Sequence, residues 1–319
     1  MKPNWVIGAL FFCSIFNKIS CADVDWLDIF NHAAETNVGR KNGFEYSPPT
    51  QSTPSDELCG VVNPNGLDER FPVSREQSRP GQFPWVVALF SNGKYFGGGS
   101  LISSGVVLTA AHLVMYKNPN SIVVRAGEWD LASRSGKFHF EERVVDKVEQ
   151  HEHFSYGSSS NNIALLFLQS PFELKAHIRT ICLPSQGKSV DEKRCMIAGW
   201  GKRAFEDIEI MKKQRLIELP LISREECQNK LRKTRLGEKY ELPDSLICAG
   251  GEKDNDACTG DGGSALFCPM EDDPARYAQA GIVNFGIGCA QENVPGTFTN
   301  VAMFRDFIDR KLAGGDIDL

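Results

Sequence analysis

The chain has 319 residues, of which 41% are hydrophobic and 24% charged, an ordinary composition for a globular protein. This length holds one large domain or two small ones, with a core large enough to fold without a metal ion. The formal net charge of −6 at pH 7 argues against nucleic acid or an anionic membrane as the main partner.

The first 22 residues have the pattern of a secretory signal peptide. Lys2 gives a weakly positive start, residues 5–16 are mostly apolar, and residues 20–22 offer a small-residue cleavage site. The apolar run is too short to favour a membrane anchor. We therefore expect a soluble, secreted, extracellular product, and removing Lys2 and Lys18 changes its charge from −6 to −8.

We interpret residues 23–71 as an N-terminal linker or pro-segment, because residues 46–55 are rich in proline, serine and threonine. Residues 72–313 carry the globular domain, and residues 314–319 are a tail. Short β-branched and aromatic runs alternate with turns from Phe83 onward, which predicts an all-β barrel or sandwich. The main runs are 83–90, 101–102, 106–108, 122–125, 138–148, 163–168, 196–198, 214–221 and 278–285.

Two helices are predicted in addition. Ser223 and Glu226 form a capping box that starts a helix reaching Arg235. Five apolar residues near the carboxyl end recur at helical spacing, which predicts a C-terminal helix packed on the β-structure. They are Val301, Phe304, Phe307, Ile308 and Leu312.

Cysteine usage agrees with export. Cys13 and Cys21 lie in the signal peptide, and the remaining eight are an even number that suggests four disulfides. None of the eight is spaced C-x-x-C, so we expect no zinc, and no cofactor is indicated. His151 and His153 would share one face of a strand, but no third metal ligand is evident. Solvent-facing strand residues are the preferred interpretation.

Several separated motifs resemble the trypsin-like serine protease domain over about residues 72–313. This resemblance implies two antiparallel six-stranded β-barrels with a C-terminal helix. The motifs are Gly98-Gly-Ser-Leu-Ile102 with Leu108-Thr-Ala-Ala-His112, Asn161-Asn-Ile-Ala-Leu-Leu166, Cys195-Met-Ile-Ala-Gly-Trp-Gly201, Asp256-Ala-Cys-Thr-Gly-Asp-Gly-Gly-Ser-Ala265, Gly281-Ile-Val-Asn-Phe-Gly286 and Pro295-Gly-Thr-Phe-Thr-Asn-Val301.

In that family a serine attacks the substrate, a histidine takes the serine proton, and a buried aspartate orients the histidine. The matching residues here are Gly262, His112 and Asn162, so only the histidine is retained. An aspartate-to-asparagine change alone costs about 10⁴-fold in turnover, and glycine has no nucleophile. The resemblance therefore implies a pseudo-protease and not an enzyme.

Another serine would have to lie within about 3 Å of the histidine to replace the missing nucleophile. Ser264 and the serines at 158–160 are the alternatives, but a slip of two residues in a tight loop moves Ser264 out of reach. Turn serines are the preferred interpretation.

The resemblance leaves a binding site in place. The backbone N–H groups of Gly260 and Gly262 match the oxyanion donors, and Asp256 matches the acidic floor of a pocket for arginine or lysine. A satisfied, vestigial Asp256 is an equally weighted alternative. The pocket walls match Asn284, Phe285, Gly286 and Gly296.

The resemblance also implies a disulfide pairing and an altered activation step. The bridge that usually flanks the histidine is missing, with Gly97 and Leu113 in its places. No I-V-G-G follows a cleavage site, although Arg70 or Arg75 could be cut, so Asp261 needs a partner other than the usual new amine. The implied pairs are Cys59–Cys182, Cys195–Cys268, Cys227–Cys248 and Cys258–Cys289.

The leading functional hypothesis is a secreted, inactive serine protease homologue that regulates an extracellular proteolytic cascade of immune or melanisation type. Its partners would be extracellular proteins, either proteases or their substrates, with no nucleic acid and no membrane. One alternative is a weakly active trypsin-like endopeptidase using His112 and Asp256. Another is polysaccharide recognition through the basic stretch at 230–239, which a solvated helix face also explains.

Overall fold

The computed structural model describes residues 59–68, 70–133, 139–188 and 193–314, and twelve β-strands within these ranges form two closed antiparallel barrels. The prediction of an all-β fold with two six-stranded barrels is confirmed. The predicted signal peptide, most of the predicted linker and all but one residue of the predicted tail lie outside the described residues.

The first barrel has the strand order β1-β2-β3-β6-β5-β4. Successive side chains on a strand point to opposite faces, so alternate residues fill the barrel interior. Val87, Leu89, Leu101, Val124 and Leu166 belong to this buried cluster. The strands are β1 (Val86–Ser91), β2 (Lys94–Ser103), β3 (Val106–Thr109), β4 (Ile122–Ala126), β5 (Glu141–Gln150) and β6 (Ala164–Leu168).

The second barrel repeats the arrangement with the order β10-β11-β12-β9-β8-β7. The predicted runs omit β9, β10 and β12. The first two are five residues long and contain alanine and cysteine in place of a β-branched run. The strands are β7 (Arg194–Gly199), β8 (Arg215–Ile222), β9 (Leu246–Gly250), β10 (Ala265–Pro269), β11 (Tyr277–Phe285) and β12 (Pro295–Asn300).

Three short α-helices, α1 (Ala111–Val114), α2 (Arg224–Arg232) and α3 (Arg305–Leu312), accompany the strands of the described part. Helix α2 starts as predicted, because the Ser223 hydroxyl accepts the backbone N–H of Glu226 at 3.2 Å, but it ends three residues before Arg235. None of the helices in the described ranges is long and apolar enough to cross a membrane.

The C-terminal helix is shorter than its apolar pattern suggests. Residues Val301–Phe304 form a 3₁₀ turn, and α3 follows at Arg305. The pattern residues in these two segments are buried except Leu312, which is 39% exposed because it lies on the last turn, beyond the packed face.

Four disulfides join Cys59 to Cys182, Cys195 to Cys268, Cys227 to Cys248 and Cys258 to Cys289. These are the pairs that the resemblance implied. Where the family has a further bridge beside the histidine, the Leu113 side chain occupies the space, since a Cβ built on Gly97 would lie 2.7 Å from Leu113 Cδ1. Packing of a leucine against a glycine therefore takes the place of a covalent link.

Candidate functional site

A cavity of about 370 Å³ lies where the two barrels meet, and it contains most of the residues that the sequence singles out. His112 reaches it from α1, at the end of the first barrel, and Gly262 from the loop that precedes β10 of the second barrel. The other predicted site residues lining the cavity are Asp256, Gly260, Asn284, Phe285, Gly286 and Gly296. Asn162 is 1% exposed and lies behind His112.

Asn162 holds His112 through two contacts. Its Oδ1 accepts the backbone N–H of His112 at 2.9 Å, and its Nδ2 lies 2.8 Å from His112 Nδ1. A backbone N–H can only donate, so the amide oxygen must face it and the NH₂ group must face the ring. The ring Nδ1 is therefore an acceptor, and the single proton of the neutral imidazole sits on Nε2.

Burial lowers the pKa of His112, which keeps the imidazole neutral at pH 7. In the catalytic arrangement of the family, a carboxylate accepts a hydrogen bond from Nδ1–H, so the proton stays on Nδ1 and Nε2 is free to take the serine proton. The amide of Asn162 reverses this assignment, because its NH₂ group donates to Nδ1. With the proton on Nε2, the ring can donate a hydrogen bond into the cavity and cannot accept a proton there.

Asn284 locks this arrangement, a role that the pocket-wall assignment did not include. Its Oδ1 accepts from Asn162 Nδ2 at 2.6 Å, and its Nδ2 donates to the Ser159 carbonyl at 2.9 Å. Thr299 Oγ1 also donates to the Asn162 carbonyl at 2.9 Å. The side-chain amide of Asn162 is thus oriented by the His112 backbone N–H at its oxygen and by the Asn284 oxygen at its NH₂ group.

Gly262 faces His112 across an open space. A Cβ built on this glycine would lie 3.6 Å from His112 Nε2 and 3.7 Å from Leu113 Cδ2, which are ordinary van der Waals distances. The N–H groups of Gly260 and Gly262 donate to no acceptor within the described part of the chain. The site therefore offers donors and room, but no hydroxyl at this position.

The buried Asp261 finds its partner inside the barrel. Its side chain is fully buried, and its two oxygens accept the backbone N–H of Gly201 at 2.8 Å and of Cys258 at 3.0 Å. Arg215 Nη1 lies 3.6 Å from Asp261 Oδ2. Burial raises the pKa of Asp261, and the nearby Arg215 opposes that rise. An internal cation stands where the family uses a new amine.

Arg215 is the functional residue that sequence reasoning missed. Its guanidinium is 9% exposed and also donates to the carbonyl oxygens of Lys202 and Asp256. The sequence does contain a sign that Arg215 is buried. Arg215 is two and four residues from Ile217 and Leu219 on β8, so all three side chains point to the same, buried face of the strand. A charge at an inward position needs a buried partner.

Asp256 lies at the closed end of the cavity and is 5% exposed. Its Oδ2 accepts the backbone N–H of Ala290 at 3.1 Å, but its Oδ1 has no hydrogen-bond partner within the described residues. Burial raises the pKa of Asp256 to about 6. A Cβ on Gly296 would lie 3.4 Å from Oδ1, so this glycine keeps the space beside the carboxylate open. Oδ1 is therefore a buried acceptor that the described residues leave unpaired.

None of the serines considered as a replacement nucleophile forms a hydrogen bond with His112 within the described residues. Ser264 is 1% exposed, and its hydroxyl faces the Gly98 backbone between the barrels, with no hydrogen-bond partner in the described residues. Ser158 and Ser160 pair through their hydroxyls at 2.8 Å in an exposed turn. Only the second group fits the turn-serine interpretation, because Ser264 is a core residue.

The interpretation of His151 and His153 as strand residues is wrong, although His153 is exposed to solvent as expected. Both residues follow β5 in a turn, and the His151 ring packs against Phe304 and Phe307 with centroids 5.1 and 5.0 Å away. Part of the basic stretch is also used locally, since Lys230 pairs with Glu226 on α2.

Comparison with known proteins agrees with the two-barrel fold. The family model described as Trypsin matches residues 72–308. Phenoloxidase-activating factor 2 of Galleria mellonella is 39% identical over 289 residues, covering 85% of this chain and 94% of the relative. Inactive CLIP domain-containing serine protease A8 of Anopheles gambiae is 36% identical over 282 residues, covering 85% of this chain and 76% of the relative. The chain therefore belongs to the trypsin family, and some of the members it resembles are named inactive.

Proposed function

We propose that this chain is a catalytically inactive member of the trypsin family that acts by binding proteins and not by cleaving them. The observation that carries the proposal is a combination of two facts: position 262 is a glycine, and the proton of the neutral His112 ring is on Nε2. There is no hydroxyl to attack a carbonyl, and the ring nitrogen that would act as the base already holds a proton.

We propose that the protein partner binds in the cavity lined by Asp256. Its unpartnered carboxylate oxygen suits an arginine or lysine side chain, which would supply a charge-assisted hydrogen bond. The partners are then basic segments of proteases or of their substrates, which trypsin-like enzymes also recognise.

The proposed setting is an extracellular proteolytic cascade, of immune or melanisation type, in which the chain serves as a regulator or cofactor. Two features support it. The names of the relatives refer to phenoloxidase activation and to inactive serine proteases. The predicted signal peptide and the four disulfides suit an oxidising compartment outside the cell.

The test of inactivity is a fluorophosphonate probe and an arginine ester, applied to the purified full chain. We expect no labelling and no hydrolysis above a heat-denatured control. A matched positive control restores the triad with Gly262→Ser, Asn162→Asp and Asn284→Ser together, because the Asn284 oxygen would repel a carboxylate at position 162. Hydrolysis by wild type that disappears in His112→Ala would instead support the weakly active endopeptidase.

The test of the binding role is a crosslinking pulldown from the native extracellular fluid, with wild type and Asp256→Asn side by side. Loss of protein partners in the variant supports binding through the cavity. Unchanged partners would place the interaction on the outer loops, and capture by polysaccharide surfaces alone would contradict the proposal.

A further inference from the structure

We propose that the cavity recognises the newly formed C-terminus of a cleaved chain, namely an arginine or lysine that ends in a free carboxylate. This inference rests on the proposed function and names its ligand class. It follows from three N–H donors on residues that line one cavity, of which the Nε2–H of His112 is the one that an active protease of this family does not present.

Three residues that line the cavity carry N–H donors. These donors are the backbone N–H groups of Gly260 and Gly262, neither of which is used within the described residues, and the Nε2–H of His112. A carboxylate has two oxygens that can accept several hydrogen bonds, whereas a peptide carbonyl presents one oxygen. Hydrogen bonds from N–H groups to a charged acceptor are the stronger kind. The donor set therefore favours an anion over a neutral peptide bond.

The missing side chain supplies the room. A Cβ on Gly262 would lie 3.6 Å from His112 Nε2, so the second carboxylate oxygen can occupy the volume that a serine side chain would fill. In an active protease that volume holds the attacking hydroxyl, and the histidine accepts the proton of that hydroxyl. Here the histidine can donate from Nε2, because Asn162 Nδ2 faces Nδ1.

The same cavity selects the residue that carries this carboxylate. Asp256 and Gly296 define its closed end, and the free Asp256 Oδ1 is a buried acceptor for a basic side chain. A ligand with a positive side chain and a terminal carboxylate on the same residue satisfies both ends of the site. Hydrolysis after arginine or lysine is the class of reaction that produces such a terminus. The cavity would thus bind a chain only after a protease has cleaved it on the carboxyl side of an arginine or lysine.

Three synthetic peptides test the inference by isothermal titration calorimetry on the full secreted chain at pH 7.5. The first is acetyl-Ala-Gly-Arg with a free carboxylate, the second is its C-terminal amide, and the third continues for two glycines beyond the arginine. We expect the free acid to bind about 10- to 100-fold more tightly than the other two, the range expected for hydrogen bonds to a charged group. Equal or weaker binding of the free acid overturns the inference, as does the absence of binding by all three.

Three single variants test separately the residues proposed to bind the carboxylate and the residue proposed to bind the basic side chain. Gly262→Ala places a methyl group in the open volume at ordinary contact distances, so the preference for the free acid should fall by about tenfold or more while the fold is kept. His112→Phe removes the Nε2 donor and should have the same effect. Asp256→Asn should weaken all three peptides alike. An unchanged free-acid preference in both Gly262→Ala and His112→Phe would also overturn the inference.

The extended peptide also separates the carboxylate preference from the proposed lack of protease activity. Mass spectrometry of the extended peptide after incubation detects any cleavage. Cleavage by wild type would contradict the inactive assignment, whereas an intact extended peptide that binds as well as the free acid would contradict only the carboxylate preference.

Discussion

Removing the Arg215 cation should weaken the second barrel substantially. Arg215 Nη1 lies 3.6 Å from Asp261 Oδ2, and the two side chains are 9% and 0% exposed. At an effective dielectric constant of about 20, that separation corresponds to about 4–5 kcal/mol. Breaking a buried pair by deleting one partner costs about 3–5 kcal/mol, because the remaining charge is left uncompensated. Arg215→Met should therefore lower the free energy of unfolding by about 3–5 kcal/mol at pH 7.5.

The assay is urea unfolding of wild type, Arg215→Met, Asp261→Asn and the double variant. We expect the double variant to lose clearly less than the two single variants combined. Additivity to within about 0.5 kcal/mol would refute the reasoning, because independent sites add to that degree.

The pH dependence gives a second check on the same pair. Burial already raises the pKa of Asp261, and losing Arg215 should raise that pKa further. A carboxyl whose folded pKa is raised is favoured when protonated, so the folded state loses stability as the pH rises through that pKa. The defect of Arg215→Met should accordingly shrink as the pH falls. A defect independent of pH would contradict the ionic interpretation.

Three further outcomes are expected. Burial raises the pKa of Asp256 to about 6, and the backbone N–H groups of Ala290 and Ala257 oppose this rise. The protonated carboxyl is therefore favoured in the folded state, so the stability that it contributes should be lost as the pH rises from about 4 to about 6. Thermal melts of Asp256→Asn should lack that component. Gly262→Ala should unfold within about 1 kcal/mol of wild type, whereas Gly263→Ala should lose more than about 2 kcal/mol, since Gly263 has φ +81° and its Cβ would lie 2.5 Å from the Gly98 carbonyl oxygen. Ser223→Ala should cost about 1 kcal/mol in urea unfolding through loss of the α2 cap.

The fold could be predicted from sequence because its signals are local and repeated. Alternating runs such as β8 show their inward and outward faces directly, and the Ser223 capping box marks where α2 begins. Helix ends are less well specified. Helix α2 ends at Arg232, where the Thr234 hydroxyl donates to the Leu231 carbonyl at 2.6 Å, a local contact that the apolar pattern does not reveal. Leu312, on the last turn of α3, is likewise part of the apolar pattern but is partly exposed.

The site was only partly predictable, because several of its groups are defined by contacts between distant segments. The positions of His112 and Gly262 could be found from motifs, but the proton position on His112 depends on the orientation of the Asn162 amide. That orientation depends in turn on Asn284, which is 122 residues away in sequence. The Arg215 pair with Asp261 likewise joins the start of β8 to the loop before β10, two segments that no local pattern connects.

The Cys59–Cys182 bridge has a consequence for any cut at the exposed Arg70 or Arg75. Cys59 precedes both arginines and Cys182 follows them, so the severed leader and the barrel portion would stay covalently attached as a light and a heavy chain. Such a nick would be visible on gels only after reduction. A cut at either arginine would therefore release no fragment that includes Cys59 unless the bridge is also reduced.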